Sequence, residues 1–170
     1  TDETVATAAA ALEGMGVVSG TSDSTFNPSG SLTRAQLSAM LVNAAGLSNQ
    51  VSTYARKTMF SDVSASAWYN GYVNLAYSQG LVSGNGDGTF GPDTSVTYGE
   101  MATSLLRLLG YTSEQVGTVW PLDYTAFCDK LGFSDGLSLG AYDNLNRGEG
   151  AVLLYRALKA PVSGSEQPYY

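Results

Sequence analysis

The chain has 170 residues, 44% of them hydrophobic and only 14% charged, with a formal net charge of -7, one Cys and no His. That composition supports a packed core and leaves a surface of Ser, Thr, Asn, Gly and Tyr, which suits carbohydrate neighbours and equally suits a secreted protein that binds nothing in particular. The acidic field argues against a nucleic-acid binder, the missing His excludes Ser–His and Cys–His hydrolases and the common zinc sites, and a lone Cys128 makes no intramolecular disulfide.

In chain order, residues 1–11 lack the basic start of a signal peptide, and no apolar run approaches the roughly 20 residues of a membrane span. A first helix is predicted over 3–13, stopped by Gly14. A Gly-rich loop follows, Gly16-Val-Val-Ser-Gly-Thr-Ser-Asp-Ser-Thr-Phe-Asn-Pro28. A second helix is predicted over 34–45, with Thr33 as N-cap and Gln36 completing a capping box. Its apolar stripe is Leu37, Met40, Leu41, Ala44 and Ala45.

After a linker over 47–59 the pattern returns: a helix over 69–79, the loop Gly80-Leu-Val-Ser-Gly-Asn-Gly-Asp-Gly-Thr-Phe-Gly-Pro92, and a helix over 98–109 capped by Thr97 with Glu100. Gly16 thus recurs as Gly80, and Thr33 as Thr97, at one ungapped spacing. A second linker, 111–119, precedes a third copy with helices over 121–131 and 147–158. Pro121 suits a first helical turn, and Asn146 with Glu149 repeats the capping box. The third loop is three residues shorter than the second, since Gly80 to Thr97 is matched by Gly132 to Asn146, and it lacks Thr-Phe-x-Pro. The repeats are expected at about 1–46, 60–110 and 111–160, within one domain, with an exposed tail over 161–170. Helical stripes that no copy can bury alone predict three helix-loop-helix units around one shared core.

Phe60-Ser-Asp62-Val63, then Trp68, then Gly80 to Pro92, then Val96-Thr97-x-x-Glu100 resembles one complete S-layer homology repeat. The first copy lacks the leading Phe-x-Asp-Val and Trp, and the third keeps Trp120 but little of the loop. The resemblance implies an all-α fold in which three repeats form a pseudo-threefold unit with a central helical bundle. It implies a non-catalytic module on the bacterial cell surface, needing no cofactor and no membrane insertion. Its partner would be a cell-wall polysaccharide, often bearing a pyruvate-ketal amino sugar, bound in grooves between repeats. The family's Thr-Arg-Ala-Glu motif supplies an Arg to that acid. Here it reads Thr33-Arg34-Ala35-Gln36, then Thr97-Tyr98-Gly99-Glu100, then Asn146-Arg147-Gly148-Glu149, with Tyr98 replacing the Arg.

The residues carry a rationale of their own. An Arg in the first turn of a helix stands beside free backbone N–H groups, and together they form a pocket for a carboxylate. Arg34 is the strongest candidate and is expected at the surface; alternatively Arg34 and Arg147 pair with carboxylates such as Asp23 or Asp143. Thr33, Gln36, Tyr98 and Glu100 accompany them as ligand-binding candidates, with Asp87 from the loop. Trp68 reads first as a staple packed into the core and second as a sugar-stacking platform. Around Asn85-Gly-Asp87-Gly88 a calcium loop would need more than one carboxylate, so no metal is assigned. Cys128 aligns with Ala76 and Leu12 on a buried face, and pairs such as Asp123 and Asp129 lack a spacing that singles out acid–base work. The other class of function open to this sequence is a degenerate copy of the same scaffold, kept as a structural or protein–protein module.

Overall fold

The computed structural model of the protein describes residues 2–14 and 28–160. Its elements are helical, as expected: α1 (Asp2–Gly14), α2 (Arg34–Ala44), α3 (Val51–Tyr54), α4 (Asn70–Ser78), α5 (Tyr98–Leu108), α6 (Ser113–Val116), α7 (Leu122–Lys130) and α8 (Arg147–Lys159). Extended pairing among the described residues is limited to isolated bridges. The long helices start and stop within about a residue or two of the periodicity-based limits, and most carry a side-chain cap at the start or a Gly stop at the end. Thr33, Thr97 and Asn146 all accept from the amide three residues on, and Gly46, Gly80, Gly110 and Gly132 follow helix ends with positive φ.

The predicted linkers are structured. Residues 48–54 form a 3-10 turn, Ser48–Gln50, running into α3, which packs on α4. Two buried amides hold the segment there. Asn70 Nδ2 donates to the Ala55 carbonyl at 2.9 Å, and Asn74 Nδ2 to the Tyr54 carbonyl at 3.0 Å. Gly71 gives α3 room, since a Cβ there would lie 2.5 Å from the Val51 carbonyl oxygen. Nothing in the polarity of residues 47–59 marks this, because the backbone groups being satisfied carry no side-chain signature.

Among the described residues the main pairings of the long helices run between copies. The second helix of one copy packs on the first helix of the next: α2 on α4, α5 on α7, and α8 back on α1, while α5 also touches α2 and α8. At the junctions Leu32 N–H donates to the Leu145 carbonyl at 3.1 Å, Leu145 N–H to Val96 at 2.8 Å, and Val96 N–H to Leu32 at 2.8 Å. The three residues are at most 2% exposed, so this closed ring of backbone bonds lies inside the core. The core continues through Leu37 and Leu41 of α2, Met101 and Leu105 of α5, and Leu153 and Leu154 of α8.

The shared core makes cooperative folding depend on all three copies. A chain ending at Gly110 removes the partners of α5 and α1 and opens the Leu32–Val96–Leu145 ring. It should lose the sharp thermal transition of the whole chain in circular dichroism; a melt of equal sharpness would show that the first two copies fold without the third.

Candidate functional site

A cavity of about 400 Å³ lies where the first two copies meet, with Trp120 of the third at its edge. Its wall is built from the start of α2, the loop over 82–85 and the face of α5 that carries Glu100, Thr103, Ser104 and Arg107. The loop is fixed by a motif noted only for its resemblance. The Asp62 carboxylate accepts the Phe90 and Gly91 amides, both at 2.8 Å, and Phe60 packs against Phe90 with ring centroids 5.3 Å apart. This is the physical content of Phe-x-Asp-Val ahead of Thr-Phe-x-Pro.

Arg34 stands against this loop, and its side chain is 13% exposed, not at the surface as expected. Nε donates to the Phe90 carbonyl at 2.9 Å, Nη1 to Glu100 Oε2 at 2.6 Å, and Nη2 to the Ser83 carbonyl. The guanidinium also lies over the Phe90 ring, 4.4 Å from its centroid. Its ionic partner among the described residues is therefore Glu100 of the next copy, and not Asp143. Asp23 lies outside the described residues, as does the first-copy loop up to residue 27.

The expectation of free amides at these helix starts is overturned. Arg34 and Ala35 N–H donate to Thr94 and Pro92, Tyr98 and Gly99 to Asp143 and Ala141, and Arg147 and Gly148 to Gly30 and Pro28. The next two amides of each helix go to the cap residue: Gln36, Glu100 and Glu149 to its side chain, and Leu37, Met101 and Gly150 to its carbonyl. The first four amides of each of these helices are thus used within the protein, so an anion there must be met by side chains.

The other candidates separate. Thr33 and Gln36 are spent on their capping box, with Thr33 N–H donating to Gln36 Oε1 at 2.9 Å. Glu100 lines the cavity as the partner of Arg34. Tyr98 is fully buried, and its hydroxyl donates to Asp129 Oδ1 at 2.6 Å. Burial, then that hydrogen bond, pushes the hydroxyl well above the ordinary tyrosine value. Arg147 sits at the junction of third and first copies, where burial lowers its guanidinium from the usual arginine value. Asp87 is exposed in the loop, held below the usual carboxyl range by the Thr89 hydroxyl and amide.

Trp68 is 63% exposed, which corrects its placement in the core. It precedes α4 on the outer side, in edge contact with Tyr69 and Tyr72, whereas the buried face runs through Asn70, Val73 and Asn74. Cys128 is buried as expected, and burial raises its thiol's pKa. Among the described residues no group of three or more acidic, Cys or His side chains could hold a metal ion, and no helix is long and apolar enough to cross a membrane.

Ser83, Thr103, Arg107 and Trp120 are among the cavity residues that were not anticipated as site residues. Arg107 Nη1 donates to Ser83 Oγ at 3.1 Å, and Trp120 Nε1 to Thr103 Oγ1 at 2.8 Å. Trp120 was visible as the counterpart of Trp68. Arg107 carried no motif, and only the helical spacing from Thr103, four residues earlier, would have set the two on one face.

The profile of the S-layer homology domain matches residues 3–38 and 60–102. A cell surface protein of Thermoanaerobacter kivui is 32% identical over 95% of this chain and 21% of its own length. A surface layer protein of Brevibacillus choshinensis is 31% identical over 86% of the chain and 13% of its own. An amylopullulanase of Thermoanaerobacterium thermosulfurigenes is 28% identical over 84% of the chain and 8% of its own. The chain thus spans about a fifth or less of these relatives. It belongs to the S-layer homology family and is a cell-surface anchoring module.

Two substitutions test the interfaces. Arg34→Ala strands the Glu100 carboxylate and two loop carbonyls, and should cost about 2–3 kcal/mol in urea unfolding, with Arg34→Lys recovering part. Tyr98→Phe should cost about 1–2 kcal/mol near neutral pH. Because the folded state resists Tyr98 ionisation, its contribution holds below about pH 10 and is lost as pH rises beyond it. The alkaline fall in stability should therefore be shallower in Tyr98→Phe than in the parent.

Proposed function

We propose that the chain is a non-catalytic anchor that holds the protein it belongs to on the cell wall, by binding an anionic wall polysaccharide in the groove between the first and second copies. The observation that carries this is the cavity itself. Two guanidiniums, the Ser83 and Thr103 hydroxyls, the Asn85 amide and an indole line one opening of about 400 Å³. That volume falls in the range of small-ligand sites. Its charged side chains, Arg34 and Arg107 against Glu100, leave it locally positive on a chain of net charge -7. An acidic protein and an acidic polymer repel at long range, so the attraction must be short-ranged and supplied by such donors.

The comparisons support an anchor over a catalyst. Related segments occur in a surface layer protein and in an amylopullulanase, occupying 13% and 8% of them. A module common to proteins of such different kinds serves where they sit better than what they transform. A pyruvate-ketal-bearing amino sugar is the ligand the resemblance favours, and a carboxylate on a sugar ring fits a cavity that combines cation, hydroxyls and indole.

The second junction differs. Tyr98 stands in place of an Arg and is closed onto Asp129, so we assign that junction a structural role, the part of the degenerate-scaffold reading that applies here.

Sedimentation with purified cell walls tests the anchor. The protein should pellet with intact walls and stay in solution with walls stripped of their secondary polysaccharide. Equal pelleting with stripped walls would place the binding on peptidoglycan and reject the proposal.

A further inference from the structure

We propose that Arg107, and not the motif arginine Arg34, recognises the ligand's carboxylate in this groove, beside a sugar ring seated on Trp120. The inference rests on the wall-polysaccharide reading above and names the residue that sets its specificity.

Arg34 is already occupied. All three of its guanidinium nitrogens donate within the protein, and one face of the group is covered by Phe90. Glu100 holds the position that a ligand carboxylate would take. Displacing it would leave a carboxylate that is 23% exposed without its cation.

Arg107 is in the opposite state. It is exposed on the last turn of α5, and the bond the structure gives it runs to Ser83 Oγ, a neutral hydroxyl. That contact orients the guanidinium without neutralising it. The corresponding positions in the other copies make the contrast. Residue 43, 64 earlier, is Asn, and residue 156, 49 later, is an Arg whose Nη1 is taken up by the Phe133 and Asp135 carbonyls at 2.8 and 2.7 Å. Of these three positions, only 107 combines a cation with a hydroxyl partner.

The neighbouring indole supplies the second half of the site. Trp120 is 56% exposed although its Nε1 is bound to Thr103 Oγ1, which itself donates to the Gly99 carbonyl at 2.8 Å. The ring is thus tied to the backbone of α5 while much of it stays open. Thr103 and Arg107 lie one turn apart on that helix, so the fixed indole and the cation share a face. With Arg34 and Glu100 cancelling, the cavity presents one net positive charge. The ligand class is a saccharide with one carboxylate per bound unit, its ring on Trp120 and its acid on Arg107.

The test is calorimetry on the full chain. The probes are soluble wall-polysaccharide fragments and the same fragments with their carboxylates converted to methyl esters. The wild type should prefer the acid by about ten- to a hundredfold, the range of one lost charge-assisted bond. Arg107→Gln should bring the acid-to-ester ratio close to one with an unchanged melting temperature. Arg34→Lys should melt lower yet keep a clear acid preference. A ratio that survives in Arg107→Gln overturns the assignment, whether Arg34→Lys loses it or not. A wild type that binds acid and ester equally also overturns it and leaves the anchor standing. A wild type that binds neither rejects the wall-polysaccharide reading itself.

Discussion

The backbone ring of Leu32, Val96 and Leu145 is the constraint on which the rest of the molecule depends. Each residue donates to the next and accepts from the previous one inside the core, so none of these three backbone units is satisfied within its own copy. The first two amides of α2, α5 and α8 extend the same logic, each pair donating to the loop of a neighbouring copy. An unpaired buried N–H costs about 1–3 kcal/mol, so these exchanges tie the copies together as firmly as the apolar stripes do.

This arrangement explains how the third copy can lose its loop signature and still hold its place. Its loop lacks Thr-Phe-x-Pro, yet Ala141 and Asp143 present carbonyls to α5 just as Pro92 and Thr94 do to α2. Carbonyls are common to every residue type, so side chains can erode while the exchange persists. It also explains the small residues there: a Cβ on Gly99 would lie 2.6 Å from Pro121 Cβ.

The same exchange redirects the binding chemistry. Amides at a helix start attract anions only when they are free, and here they are consumed in building the fold. The motif arginine is drawn into the same task, joining α2 to the loop and to Glu100 across the first junction. At the second junction Tyr98 does comparable work with a hydroxyl, burying its ring and reaching Asp129. On the function proposed above, a ligand meets the side chains of α5 that line the cavity and the indole beside them.

Periodicity and caps alone determined the long helices, because a capping box and a Gly stop act within a few residues of where they stand. The repeat, and with it the family, was legible for the same reason: Gly, Asp, Phe and Pro recur in phase wherever a loop must turn alike. The buried position of Cys128 followed from its register against Ala76 and Leu12. Which helices pair, what Arg34 holds and where Trp68 points were decided only by the tertiary structure. Each depends on contacts between copies, such as Arg34 with Glu100 66 positions on, and no local pattern records them. Arg107 was invisible until α5 was set against the loop carrying Ser83, since its hydroxyl partner lies on a separate stretch of chain. A sequence encodes local preference directly, and it encodes the meeting of distant side chains only through the whole fold.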